Sequence, residues 1–276
     1  MFHESSTLAV TPGTQFNHSS TGRFLLTHLA PAFLAVAGLL LMELTPLDRL
    51  ISNQFFDTTS RNFPLRHDFW YDVVLYHWAK NVVIGIAIVV LITWLLSLFT
   101  RRFRPWRRLF LFLTLAMWLA PGVVVALKSW NYRSCPWDLD IYGGVAPYLN
   151  LVEAFTSSFP AGIAHTHCFP AGHASAGFCL LAFYFAGRAL QRPRLARAGL
   201  WTGIVAGLVL GAARVAQGAH FLSHNLWTGV ICWTVMVVLY VLIFEVKPNA
   251  PRKSHAALRS PVFPGSASVD RAVQQG

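Results

Sequence analysis

Six apolar runs, most of them long enough to cross a bilayer as a helix, constrain this chain more than any other feature. They cover residues 24–47, 82–100, 109–127, 174–190, 199–217 and 226–244, and the fourth is the shortest. At 1.5 Å per residue, about 20 apolar residues cross the hydrocarbon core. Backbone polar groups in lipid must be satisfied within their own segment. The expected fold class is therefore all-α: a polytopic membrane helix bundle of six transmembrane helices. Only 12% of the 276 residues are charged, against about 25% in an ordinary soluble domain.

The charges orient the spans. Arg101, Arg102, Arg104, Arg107 and Arg108 lie between spans two and three. Arg188, Arg192, Arg194 and Arg197 lie between spans four and five, and Lys247, Arg252 and Lys253 follow span six. These stretches share one side, which the positive-inside rule makes cytoplasmic. Both termini are then cytoplasmic. The opposite loop, 48–80, balances its basic residues with Asp48, Asp57, Asp68 and Asp72. The net charge of +11 thus reads as a topology signal and gives no reason to expect nucleic acid as a partner. Residues 1–23 form a polar segment without the apolar stretch of a cleavable signal peptide. Residues 24–246 are the expected membrane domain, and the Pro- and Ser-rich tail 247–276 has a composition that favours disorder. The stretch "DFWYDVVLYHW", 68–78, carries the Trp and Tyr that favour a membrane boundary. Gly203, Gly207 and Gly211 recur every four residues, a spacing that lets helices approach closely.

With this orientation, three polar stretches fall on the outer face. They are "KSWNYRSCPWD" with Lys128 and Arg133, "FPAGHAS" with Gly172 and His173, and "ARVAQGAHFLSHN" with Arg214, His220, His224 and Asn225. Ionisable groups at the ends of membrane spans mark function by default. Lys128, Arg133 and Arg214 suit a phosphate, since guanidinium offers a planar pair of donors. Gly172 lets backbone N–H groups approach an anion at a helix start. His173 and His220 can divide the roles of acid and nucleophile. No carboxylate-rich site for magnesium is visible.

These residues resemble the type 2 phosphatidic acid phosphatase superfamily of membrane lipid phosphatases. Its motifs read Lys-x6-Arg-Pro, Pro-Ser-Gly-His and Ser-Arg-x5-His-x3-Asp. Here Lys128 and Pro136 keep the first spacing, Pro170-Ala171-Gly172-His173 stands for the second, and Ala213-Arg214 followed by His220 for the third. The resemblance implies that His220 attacks phosphorus to form a phosphohistidine, and that His173 protonates the leaving oxygen and then activates water. Lys128, Arg214 and the Gly172 backbone would hold the phosphate, with no metal and no cofactor. The implied partners are the bilayer and a lipid-phosphate substrate such as phosphatidic acid, phosphatidylglycerol phosphate, undecaprenyl pyrophosphate or a lipid A phosphate. The implied place is a bacterial inner membrane, with the site facing the periplasm or exterior.

Four positions depart from the motifs: Ala171 and Ala213 stand in place of Ser, and two further changes touch charged roles. Cys135 stands where the first wants Arg, and Arg133 is the expected substitute. His224 stands where the third wants the Asp that orients the nucleophile; His224 itself, Asn225, Asp138 or Asp140 are the alternatives for that role. Cys135 and Cys168 both fall on the oxidising outer face, either as a disulfide pinning the first motif's loop to the second or as two free thiols. Cys179 and Cys232 fit packing positions. His165, His167, Cys168 and His173 also have a spacing that zinc could use, although the phosphate reading explains more residues.

Overall fold

The computed structural model describes residues 18–156 and 167–245. The N-terminal segment through residue 17, His165 and the tail from residue 246 lie outside the described residues. Every regular element is helical, and no strand occurs among the described residues. The long helices are α1 (His18–Glu43), α3 (Ala79–Phe99), α4 (Arg107–Ser129), α8 (Pro193–Ala216) and α9 (Leu222–Tyr240). Shorter ones are α2 (Leu47–Asn53), α5 (Glu153–Thr156), α6 (Gly172–Phe178) and α7 (Ala182–Ala189).

Five helical stretches are long and apolar enough to cross a membrane. One of them begins earlier than the sequence suggests: a wider, π-type segment, Trp70–Trp78, runs directly into α3. The aromatic boundary stretch is thus the first part of a 30-residue helix. The fourth expected span is built in pieces. A single 3₁₀ turn, Cys179–Leu181, joins α6 to α7, so 172–189 is helical throughout without being one α-helix.

Small residues explain how this broken element packs. Gly199, Gly203 and Gly207 of α8 face it directly. A Cβ on Gly203 would stand 2.6 Å from the Leu181 backbone nitrogen, and one on Gly199 2.5 Å from the Phe183 carbonyl carbon. Gly177 and Gly187 answer from the other side, against Ala206–Gly207 and Ala196. Lipid tails give apolar helices no hydrophobic reason to associate, so close backbone approach supplies the attraction. Helix α9 completes the core with Cys232, Met236 and Tyr240, against Phe112 of α4 and Phe185 of α7. Cys179 and Cys232 are buried free thiols in that core. His28, on α1, is buried as well, bonded to the Tyr184 hydroxyl and the Phe24 carbonyl, each at 2.8 Å.

A second, smaller core lies above the bundle. Phe63, Leu139, Tyr142, Ala146 and Phe221 are buried together, with Phe56, Trp137 and Tyr148 against them. This cap is made from the loops that carry the first and third polar stretches, together with Phe56 and Phe63 of the 48–80 loop.

Candidate active site

The three polar stretches are tied to one another by backbone bonds. Cys168 N–H donates to the Arg133 carbonyl at 2.8 Å, and Asn131 Nδ2 donates to the Phe169 carbonyl at 2.5 Å. Cys135 and Cys168 form a disulfide. The second stretch meets the third where Ala171 N–H donates to the His224 carbonyl and Thr228 Oγ1 to the Ala171 carbonyl, at 3.3 and 3.2 Å. The first meets the third where Trp137 N–H donates to the Gly218 carbonyl at 2.9 Å. Gly218 has φ +73°, which L side chains rarely adopt, and Phe63 fills the space where a Cβ would go. Segments far apart in sequence therefore form one closed triangle.

His173, His220 and His224 are all buried inside it. His173 Nε2–H donates to the Leu75 carbonyl at 3.0 Å, and Nδ1 has no hydrogen-bond partner among the described residues. A carbonyl can only accept, so in the neutral ring the lone pair sits on Nδ1. His220 lies in the turn between α8 and α9, with Lys128, Arg214 and His173 close enough for their charges to act on it. Burial first, and those cations second, hold its imidazole well below its ordinary pKa. His220 is consequently neutral near pH 7. Its Nδ1 has no hydrogen-bond partner among the described residues.

Lys128 and Arg214 stand half-buried at the ends of α4 and α8. Neither has an ion-pair partner among the described residues, where the sole ion pair is elsewhere. Arg214 Nη1 donates to Gln217 Oε1 at 2.6 Å. Its guanidinium lies 4.5 Å from the Tyr76 ring centre and 5.5 Å from that of Trp137. Tyr76 also packs against His173, with 4.7 Å between ring centres and the rings tilted by 32°. The Tyr76 ring thus spans a cation and an imidazole. Gly172 opens α6 beside them, with nothing within 4 Å of where a Cβ would point. Below, a groove of about 600 Å³ runs between α3 and α8, lined by Leu75, Val83, Trp201, Val205 and Leu210.

The structure places Arg133 outside this group of free cations. Its Nη1 and Nη2 donate to the two carboxylate oxygens of Glu43 at 2.7 and 3.0 Å, and Nη2 reaches the Tyr148 hydroxyl at 3.3 Å. The fork expected to grip phosphate is spent on a buried carboxylate. His224 is fully buried with Arg133 nearby. Neither of its ring nitrogens has a well-formed hydrogen bond among the described residues. Its ring centre is 5.8 Å from that of His220, and the Cys168 carbonyl faces both imidazoles. Asn225 bonds instead to the Gly211 and Phe221 carbonyls. Asp140 bonds its neighbour Ile141 N–H, and the Asp138 carboxylate sits within 4.8 Å of the Cys135 and Cys168 sulfurs. The alternative zinc set is not free to act as one: Cys168 is in the disulfide, and His167 is bonded to the Asn131 carbonyl.

Sequence reasoning missed several members. Glu43 was the lone acid at the outer end of an apolar run, which is itself a functional signal. Asp48 accepts from both the backbone N–H and the hydroxyl of Ser223 in the first turn of α9, a favourable place for a carboxylate. Burial pushes its pKa up despite those donors. Tyr76 was visible only as a boundary aromatic, and Trp137 and Gln217 carried no signal of their own within the polar stretches.

Comparison with known proteins agrees with this arrangement. No solved structure matches the chain. Among curated proteins, the lipid A 4'-phosphatase of Francisella tularensis subsp. novicida (strain U112) is 28% identical over 211 residues, covering 73% of this chain and 88% of that protein. The PAP2 superfamily profile matches residues 109–248, slightly more than half of the chain and all three motif stretches: the chain belongs to the PAP2 superfamily.

Proposed function

We propose that this protein is a membrane lipid phosphatase that hydrolyses a lipid phosphomonoester or pyrophosphate through a phosphohistidine on His220. The observation that carries the reading is two unpaired, half-buried cations, Lys128 and Arg214, beside two buried imidazoles. Cations held there without an ion pair among the described residues call for an anionic ligand. The family membership and the lipid A 4'-phosphatase relative support a phosphate ester as that anion, and the apolar groove below Tyr76 supports a lipid as its carrier.

The chemistry needs the two imidazoles in opposite states: His220 neutral, as its burial favours, and His173 charged by uptake of a proton on Nδ1 when the anionic substrate binds. Neutral His220 attacks phosphorus, a nitrogen–phosphorus bond forms, and the bond to the lipid oxygen breaks. His173, protonated, gives its proton to that oxygen. His173 then takes a proton from water, the water oxygen attacks phosphorus, and inorganic phosphate leaves with His220 restored. Lys128, Arg214 and the Gly172 backbone neutralise the charge that gathers on the phosphate oxygens, where fixed donors act most strongly. Because Leu75 holds His173 Nε2, Nδ1 is the atom available to the substrate. No step requires a metal. His224 is assigned a positioning role beside His220, in place of a carboxylate.

The membrane setting completes the proposal. Residues 172–189 make the sixth crossing, both termini face the cytoplasm, and the histidines face the outer side of a bacterial inner membrane. A chain of 18 helical residues reaches about 27 Å, enough for a thin hydrocarbon core.

The test is phosphate release from short-chain phosphatidic acid and isoprenyl pyrophosphate in detergent with EDTA present. His220→Ala and His173→Ala should each lower release by at least about a thousandfold while the thermal midpoint stays near that of the parent. Release that survives both substitutions would remove the assignment, and release that needs added zinc would replace it. The absence of a carboxylate at His224 favours a second reading, a lipid-phosphate binding or translocating protein without turnover. Binding of the same lipids with no release from the parent protein would select it. Transfer of the phosphoryl group to a second lipid instead of water would appear as a phosphorylated acceptor.

A further inference from the structure

We infer that Arg66 forms a second anion subsite beside the scissile phosphate, which makes the protein selective for substrates carrying a further phosphoryl group. The inference rests on the phosphatase reading above, and on three features of the cap that the reaction does not use. Arg66 lies in the turn Pro64–His67, just ahead of the helix that bears Tyr76. Its guanidinium sits 4.2 Å from the centre of the Trp137 ring, the same indole that lies 5.5 Å from Arg214. One aromatic side chain therefore holds a catalytic-site cation and a second cation next to each other.

The second feature is a tether. Gln217 accepts from Arg214 with Oε1 and donates to the Arg66 carbonyl with Nε2, at 2.6 and 3.1 Å. Gln217 is fully buried, so this link fixes the Arg66 turn relative to Arg214. The third is charge. Arg66 is exposed and has no ion pair among the described residues. Asp68, its nearest acidic neighbour in sequence, has an oxygen already accepting from Trp70 and Tyr71 N–H. Arg66 and Arg214 are close enough for their like charges to oppose each other; Asp72 lies within electrostatic reach of Arg214 but forms no ion pair with either, so the arrangement favours a ligand whose charge bridges both. Stacking on indole leaves the edge donors of Arg66 free to fork onto phosphate oxygens.

The shared chemistry is a second phosphoryl group, which has two sources. It is either the neighbouring phosphate of a lipid diphosphate or a separate phosphate on a sugar headgroup. Matched pairs distinguish them: isoprenyl diphosphate against isoprenyl monophosphate, and a doubly against a singly phosphorylated disaccharide lipid. The parent should favour the doubly charged member of one pair by at least tenfold in kcat/KM. Arg66→Gln should erase that preference through KM, and Arg66→Lys should restore part of it. Equal preference in the parent and Arg66→Gln, or no preference in the parent, overturns the subsite. A measurement without turnover separates this from the phosphatase proposal. Inorganic diphosphate should raise the thermal midpoint more than orthophosphate does, and the difference should vanish in Arg66→Gln. If no lipid is hydrolysed while that difference persists, the reaction fails and the subsite stands; a difference that persists in Arg66→Gln ends the subsite whatever the activity.

Discussion

The membrane bundle and the cap at its motif-bearing end are held together by opposite means. In the bundle, α8 packs on α6 and α7 through Gly199, Gly203, Gly207, Gly177 and Gly187, with no side-chain hydrogen bond among those residues. In the cap, loops are joined by a disulfide, a buried ion pair, backbone bonds between motifs and a small aromatic core. The division follows from the solvent. Between lipid tails, burying apolar surface gains nothing, so shape decides. At the boundary, loop backbone meets water and must find partners, so polar bonds decide. The site needs the second kind. Its cations and imidazoles come from three separate stretches, and the proposed reaction needs a rigid cap to keep them around one anion.

The largest test of this contrast removes a charge from the cap. Glu43→Gln leaves Arg133 buried without a counter-charge, and breaking a buried pair from one side costs about 3–5 kcal/mol. Thermal unfolding in detergent should show that loss, with activity falling further because Arg133 anchors Cys168 through its carbonyl. An unchanged midpoint would mean that the pair is not buried in the functional protein.

Reduction attacks the same region covalently. Cys135 and Cys168 are separated by 33 residues in sequence, and closing a loop of that size stabilises by about 3 kcal/mol. Reductant, or Cys135→Ser, should lower the midpoint accordingly, and should reduce activity while leaving the helix content intact. Loss of helix content in step with activity would show that the cap and the bundle are one cooperative unit, which would break the comparison.

A substitution in the bundle sharpens it from the other side. Gly203→Ala places a methyl group against the Leu181 backbone and forces α8 away from the broken fourth element, at about 1–3 kcal/mol. Ile88→Ala, on the exposed face of α3, should change stability by less than about 0.5 kcal/mol. The measurement is the pair of midpoints in one detergent. Equal shifts would mean that close packing on α8 contributes nothing special.

The same contrast explains what was legible in the sequence. The bundle repeats a local rule, so its apolar runs and the glycine spacing on α8 could be read from the sequence, although several helices begin well before the apolar run does. Even there, the 3₁₀ turn Cys179–Leu181 that interrupts the fourth element lies inside an unbroken apolar run and left no mark in it. The motif residues Lys128, His173, Arg214 and His220 were legible because polar groups stand out against apolar neighbours. The cap was not, because its bonds join residues with no shared periodicity. Arg133 looks like a phosphate ligand until Glu43, 90 positions away, is seen beside it. Asp48 looks like loop charge until it meets Ser223, 175 positions on.

The smallest expected effect separates two buried cap residues of opposite slope. His220 has a folded-state pKa well below 6.5, with burial as the chief cause. Below about pH 6.5 the unfolded chain therefore takes up a proton that the folded chain refuses. Stability must fall as pH drops from there, by up to about 1.4 kcal/mol per unit. Asp48 runs the other way, because burial raises its folded pKa above 3.8. Its carboxylate is a burden at neutral pH that protonation relieves, so its slope opposes that of His220 only in the acid range where carboxyls titrate. Between pH 6.5 and pH 5 the histidine should dominate. His220→Gln should lessen the slope of that stretch by one proton's share, the other buried imidazoles keeping theirs, while Asp48→Asn should act only where its carboxyl titrates. If His220→Gln keeps the full slope, the imidazole is not held neutral among Lys128 and Arg214, and the cap does not enforce the protonation state that a nucleophile requires.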